Sequence, residues 1–274
     1  MEYREYPPSA ALSGLVRCFW TLQSDLQPHA ATPEPACPDG SPELIVNLAD
    51  PFVAIGANGE RVTQPLAFLV GQITRPLLVV PTGRVDIVAV RFEAYGATYV
   101  HDHLTLLTDR WVALTALPDP ALSTLASIVA THPDAPHRIA AIEATLHAIV
   151  RARPSPDARV VSAVRALRHT SGVGSLDTLC ASLGCSMRSL QRLFAFQVGI
   201  SPKLLARIFR FQRVFAAWRD DPSSLARVAV ECGYADQSHL IRDFRVFAGH
   251  TPAAFLATQP AFTQFFLPTN PQRL

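Results

Sequence analysis

The sequence predicts an α+β chain. A β-rich, barrel-like N-terminal domain with helices precedes an all-α domain of two helix-turn-helix units joined by a linker helix. Three observations carry this. Short Val- and Ile-rich runs separated by turn signals fill residues 1–115. A helical apolar period replaces them further on. The last hundred residues then repeat themselves.

The apolar runs are ELIVNL (43–48), PFVAIG (51–56), LAFLVG (66–71), PLLVV (76–80) and RVDIVAVRF (84–92). Pro-Asp-Gly, Ala-Asn-Gly and Thr-Gly turns lie between them. Residues 93–107, 120–131 and 136–152 read as helices, the last with Ile139, Ile142, Leu146 and Ile149 on one face. RARPSP (151–156) ends that helix, because proline cannot continue it. The expected domains are therefore 1–153 and 154–258, with a tail at 259–274. In Ser155-Pro156-Asp157 the hydroxyl, the proline and the acid predict a helix start. The aromatic tail, with Phe262, Phe265 and Phe266, is expected to pack on the body.

The repeat is the most informative feature. SLDTLCASLGCSMRSLQRLFAFQVGISPKLL begins at Ser175, and SLARVAVECGYADQSHLIRDFRVFAGHTPAAFL begins at Ser224. Gly184 and Gly233 are 49 positions apart. One added residue then shifts the offset to 50, at which Leu190/Leu240, Arg192/Arg242, Phe194/Phe244, Gly199/Gly249 and Pro202/Pro252 match. Helix, tight turn and helix, twice over, is a tandem helix-turn-helix pattern. Between the copies Ser201-Pro202 starts a helix running to about Trp218, stopped by Asp220-Asp221-Pro222. At 1.5 Å per residue it is a strut of roughly 26 Å, to be compared with the roughly 34 Å between successive major-groove turns.

The second helix of each copy has two faces. Leu190, Leu193 and Phe194 are apolar in the first, and Arg188, Gln191 and Arg192 lie opposite. In the second, Leu240, Phe244 and Phe247 oppose Ser238, Ile241, Arg242 and Arg245, with Gln237 at the helix start. Arg is the bidentate partner of guanine and Gln of adenine, so Arg188, Gln191, Arg192, Gln237 and Arg242 are the expected base readers. Ser186, Ser189, Lys203, Arg207, His239 and Arg245 suit phosphate. Charge agrees: residues 1–150 hold 8 Arg and Lys against 15 Asp and Glu, and residues 151–274 hold 16 against 7. A basic half fits a phosphate-backbone partner, because each neutralised phosphate releases counterions.

These residues, above all SLQRLFAFQVGISPKLL (189–205) and CGYADQSHLIRDFRVFAGHTP (232–252), resemble the DNA-binding domain of the AraC/XylS family of bacterial transcriptional regulators. The resemblance implies seven helices in this domain, double-stranded DNA as partner, and RNA polymerase as a further partner of an activator. It places base reading on Arg188, Arg192, Gln237, Ser238 and Arg242. Cys37-Pro38-Asp39-Gly40, ELIVNL, Val70-Gly71, RVDIVAVRF and LTD (107–109) resemble the sensor domain of some such regulators. That implies a small-molecule effector, a homodimer, or both. Trp20, Asp39, Glu43, Arg91 and Tyr95 are the pocket residues expected here.

Other features point elsewhere or nowhere. His101-Asp102-His103 invites a metal reading, but a surface helix is expected there and no metal site; the alternative function is a metal-dependent sensor or enzyme in the N-terminal half, addressed to DNA by the C-terminal half. A helix would make the two imidazoles diverge, whereas a strand would bring them to one face. Cys18 and Cys37 could meet as a thiol switch. No nucleophile elbow, phosphate loop or paired carboxylates appear, so neither an enzyme nor a cofactor is expected. No apolar run reaches membrane-spanning length, MEYREYPP has no apolar core to serve as a signal, and five unpaired cysteines suit a reducing cytoplasm.

Overall fold

The computed structural model describes residues 2–25, 32–56, 58–220 and 224–258. Ten strands come first: β1 (Glu2–Tyr6), β2 (Val16–Ser24), β3 (Glu34–Ala36), β4 (Glu43–Asn47), β5 (Phe52–Ile55), β6 (Arg61–Thr63), β7 (Ala67–Val70), β8 (Leu77–Pro81), β9 (Val85–Phe92) and β10 (Trp111–Ala113). They pair antiparallel in two sheets, ordered β1-β2-β9-β4-β7-β10 and β3-β8-β5-β6. The two sheets do not close into the barrel the sequence suggested.

Strand β9 explains the layering. All eight of its residues are buried, because both of its faces are covered. Val88, Val90 and Phe92 face two helices, α1 (Pro120–Ala130) and α2 (Ala135–Ala152), whose Leu122, Leu125, Ile142, Leu146 and Ile149 complete that core. Val85, Ile87 and Ala89 face the second sheet and meet Trp20, Phe52 and Val79. Asp119 and Asp134 cap the two helices by accepting from the Ala121 and His137 amides.

Residues 93–107 do not form the expected helix. They make two 3-10 turns, Gly96–Tyr99 and Leu104–Leu107, with His101-Asp102-His103 in the irregular stretch between. Tertiary contact overrides helical spacing here. A side chain on Gly96 would lie 2.2 Å from the Leu15 carbonyl oxygen, and Tyr95 is drawn into the helical domain's core.

Seven helices follow: α3 (Ala158–His169), α4 (Leu176–Ser182), α5 (Met187–Gln197), α6 (Pro202–Asp220), α7 (Leu225–Glu231), α8 (Gln237–Ala248) and α9 (Pro252–Thr258). The cap of α3 is Asp157, which accepts from the Arg159 amide, so the helix starts after the expected Ser155-Pro156. At 19 residues α6 spans about 28 Å. Its buried Leu205, Ile208, Phe211, Val214 and Phe215 form the centre of the core. Phe211 and Phe215 meet Phe244 at ring-centroid distances of 5.3 and 5.4 Å. The expected helix stop at residues 221–222 and the aromatic tail lie outside the described residues.

Candidate nucleic-acid interface and effector pocket

The repeat is preserved in atomic detail. Ser175 and Ser224 cap the first helix of each unit, accepting from the Thr178 and Arg227 amides at 3.3 Å. Each first helix ends in a glycine with left-handed backbone, φ 60° at Gly184 and 75° at Gly233. The next amide reaches back to the helix, Cys185 to the Cys180 carbonyl and Tyr234 to the Ala229 carbonyl. Only glycine takes this conformation without strain, and the turn directs the chain into the second helix. Ser186 caps α5 by accepting from the Ser189 amide at 3.2 Å, and Asp236 caps α8 by accepting from the His239 amide at 2.7 Å.

Leu190 and Phe194 fix α5 to the core, as Leu240, Phe244 and Phe247 fix α8. This leaves Arg188, Gln191, Arg192, Gln237, Ser238 and Arg242 exposed. Arg242 also donates from Nε to the Ser238 carbonyl at 3.3 Å, which lays its side chain along the helix. Ser186, Lys203 and Arg245 are exposed, and Ser189 and His239 are half-buried. Arg207 takes another role. It donates from Nη2 to Asp243 of α8 at 2.7 Å and lies over the Phe247 ring at 5.2 Å. Its guanidinium fastens α8 to α6 instead of pointing to phosphate as the sequence suggested.

A cavity of about 110 Å³ lies between the sheets. Trp20, Asp39, Glu43 and Arg91 line it, and Tyr95 does not. Tyr95 donates its hydroxyl to the Gly14 carbonyl at 2.9 Å and packs with the helical core. The walls are otherwise mainly apolar, with Ile45, Phe52, Phe68, Leu77, Val79 and Ile87. Its polar end is an ion-pair cluster. Arg91 donates from Nε to Glu43 at 2.7 Å and lies 3.3 Å from Asp39 and 3.2 Å from Glu5. The Trp20 indole donates to Glu43 at 3.1 Å. Burial alone would lower the Arg91 guanidinium, but the carboxylates of Glu43 and Asp39 reverse this and hold it above its ordinary value.

The pocket rim also touches α6. A side chain on Gly40 would lie 2.6 Å from Phe209 and 2.9 Å from Leu205, and φ at Gly40 is 78°. Gln212 donates to the Pro38 carbonyl, and Cys37 belongs to the helical core. Arg168 of α3 lies over Phe209 at 4.6 Å and pairs with Glu93 at 3.1 Å. These partners were not legible in the sequence, because 165 to 174 residues separate Pro38 and Gly40 from their contacts on α6, and 75 separate Glu93 from Arg168.

Cys18 and Cys37 fall into different apolar clusters, and burial pushes the Cys37 thiol up to about 12. That disfavours the thiolate a redox switch needs. His101 Nδ1 accepts from the His103 amide at 3.2 Å. Among the described residues no three His, Cys, Asp or Glu side chains converge as metal ligands. No helix among them is long and apolar enough to cross a membrane.

Two capped helix-turn-helix units on one shared strut, each with exposed Arg and Gln on its second helix, define a DNA-binding protein. Residues 179–258 match the family described as a helix-turn-helix domain, of the AraC type. The family is one of transcription regulators. Residues 4–112 match a domain of unknown function (DUF6597). No curated protein matches the chain. A looser likeness runs to solved structures of ToxT from Vibrio cholerae. The O395 protein is 9% identical, with 89% of this chain and 98% of that one covered and a TM-score of 0.48. Wild-type ToxT of strain SCE256 bound to an unsaturated fatty acid is 9% identical, with 87% and 94% covered and a TM-score of 0.46.

Proposed function

We propose that this chain is a sequence-specific transcription regulator of double-stranded DNA, controlled by a small molecule held between the two sheets of its N-terminal domain. The break between α2 and α3 supports a division of labour at residues 153 and 154. The observation that carries the reading is the matched exposure of Arg188, Gln191 and Arg192 on α5 and of Gln237, Ser238 and Arg242 on α8, each helix set by a left-handed glycine turn and a side-chain cap. These side chains read bases, while Ser186, Ser189, Lys203, His239, Arg245 and the helix N-termini fix register on phosphate. The cavity supports the effector half of the reading, being apolar along its walls and polar at one end.

Selection of binding sites from a random DNA pool tests the reading directly. A single recovered motif with two half-elements is expected. Arg192→Ala and Arg242→Ala are each expected to cost about 1–3 kcal/mol on that motif and to relax preference at separate positions. Equal weakening on all sequences would show that these arginines contact only the backbone.

A further inference from the structure

The turn of the first helix-turn-helix unit holds two cysteines where the second unit holds alanine and tyrosine. Two backbone bonds close it: the Gly184 amide donates to the Ala181 carbonyl at 3.2 Å, and the Cys185 amide to the Cys180 carbonyl at 3.1 Å. Turns of this kind bring together the side chains of the two residues joined by the longer-range bond, here Cys180 and Cys185. The second unit makes the same turn, with the Gly233 amide on the Val230 carbonyl at 3.0 Å and the Tyr234 amide on the Ala229 carbonyl at 2.9 Å. Ala229 and Tyr234 fill the equivalent places, so the turn itself does not call for sulfur.

The geometry suits a bond between the two sulfurs. A direct amide-to-carbonyl link holds Cα atoms about 5.5 Å apart, as in a hydrogen-bonded strand pair, and a disulfide spans about 4.4–6.8 Å. Access differs between the two. Of the five cysteines Cys185 alone is not buried, whereas Cys180 is 5% exposed. Burial and the adjacent Cys185 raise the Cys180 thiol, so Cys180 is the poorer first nucleophile. We propose that Cys180 and Cys185 are a peroxide-oxidisable pair that closes to a disulfide across the turn leading into α5. The Cys185 thiolate attacks one oxygen of hydrogen peroxide, the O–O bond breaks, and the sulfenic acid forms with loss of water. Cys180 then attacks the Cys185 sulfur and displaces the oxygen as a second water. Two thiols and one peroxide give one disulfide and two waters, and the sulfur pair passes two electrons to the peroxide. Bond formation draws Cys185 toward α4 and takes with it Ser186, whose hydroxyl caps α5. Arg188 and Arg192 ride on that helix, so oxidation weakens DNA binding. This effect on DNA rests on the function proposed above, whereas the disulfide does not.

Peptide mapping tests the pair directly. Arg168 and Arg188 bound a tryptic peptide, residues 169–188, that holds both cysteines and no internal Lys or Arg. Full-length chain treated with hydrogen peroxide, alkylated without reduction and digested is expected to yield this peptide unalkylated and lighter by two hydrogens. Dithiothreitol is expected to restore two alkylatable thiols. Peroxide is also expected to weaken binding to the selected DNA motif at least fivefold, reversed by dithiothreitol. Cys180→Ala installs the residue that the second unit uses there. It is expected to leave Cys185 as a sulfenic acid that dimedone traps, with no loss of two hydrogens. Cys185→Ser is expected to keep its DNA affinity within about twofold under peroxide. A peptide that retains both thiols under peroxide sufficient to oxidise glutathione overturns the site. A disulfide with unchanged DNA affinity, or a Cys185→Ser chain as peroxide-sensitive as wild type, overturns the switch and leaves the site standing. If no DNA motif is recovered at all, the proposed function fails, and the peptide still decides the site.

Discussion

The Arg207–Asp243 pair makes an asymmetric demand on stability, and the asymmetry can be measured. Asp243 is 4% exposed, whereas the Arg207 side chain is 33% exposed. Removing either partner of a buried pair strands the other, and the penalty depends on how far the stranded group can reach water. In Asp243→Ala the guanidinium swings outward and rehydrates, so the loss is near that of one charge-assisted hydrogen bond, about 1.5–3 kcal/mol. In Arg207→Ala the carboxylate stays enclosed beneath α8 and the stacking over Phe247 is lost as well, so about 3–5 kcal/mol is expected. Urea unfolding followed by circular dichroism reads both losses, and the double variant gives the coupling energy. Equal losses in the two single variants would refute the argument.

Two further outcomes follow from the geometry. Gly40→Ala combines a left-handed residue with a side-chain carbon 2.6 Å from Phe209, so a cost of about 2–4 kcal/mol is expected, read as a lower thermal midpoint together with changed DNA affinity. Asp157→Ala removes the α3 cap and should cost about 1 kcal/mol at neutral pH. The Arg159 side chain holds the Asp157 carboxyl below its ordinary range, so that contribution is present above about pH 3.9 and fades as pH falls through the folded pKa.

The helical half was legible because its information is local. Glycine offsets, capping serines and apolar spacing all act within one or two turns of the residues they specify. Asp236 is the exception among the caps. Gln237 was read as the helix start and α8 does begin there, but the acidic neighbour that caps it was not singled out. In the N-terminal half the five strands with Val- and Ile-rich runs could be read from sequence. The edge strands β1, β3 and β6 are short and partly polar, and they exist through their neighbours. Strand β2 was also missed, because VRCFWTLQS mixes polar and aromatic residues without strict alternation. Of the pocket, Trp20, Asp39, Glu43 and Arg91 could be named, since charged and aromatic residues stand out in apolar strands. Tyr95 was misassigned because which side of a domain a tyrosine faces is a tertiary fact. Arg207 was misassigned because its partner lies 36 positions away.

The turn from Cys37 to Ser41 has two neighbours, the cavity on one side and the strut on the other. Divergence of such a protein is therefore constrained. A substitution that reshapes the cavity at Asp39 also resets the bearing beneath Phe209, so on the proposed function preference for a small molecule and the spacing of the two helix-turn-helix units drift together or not at all.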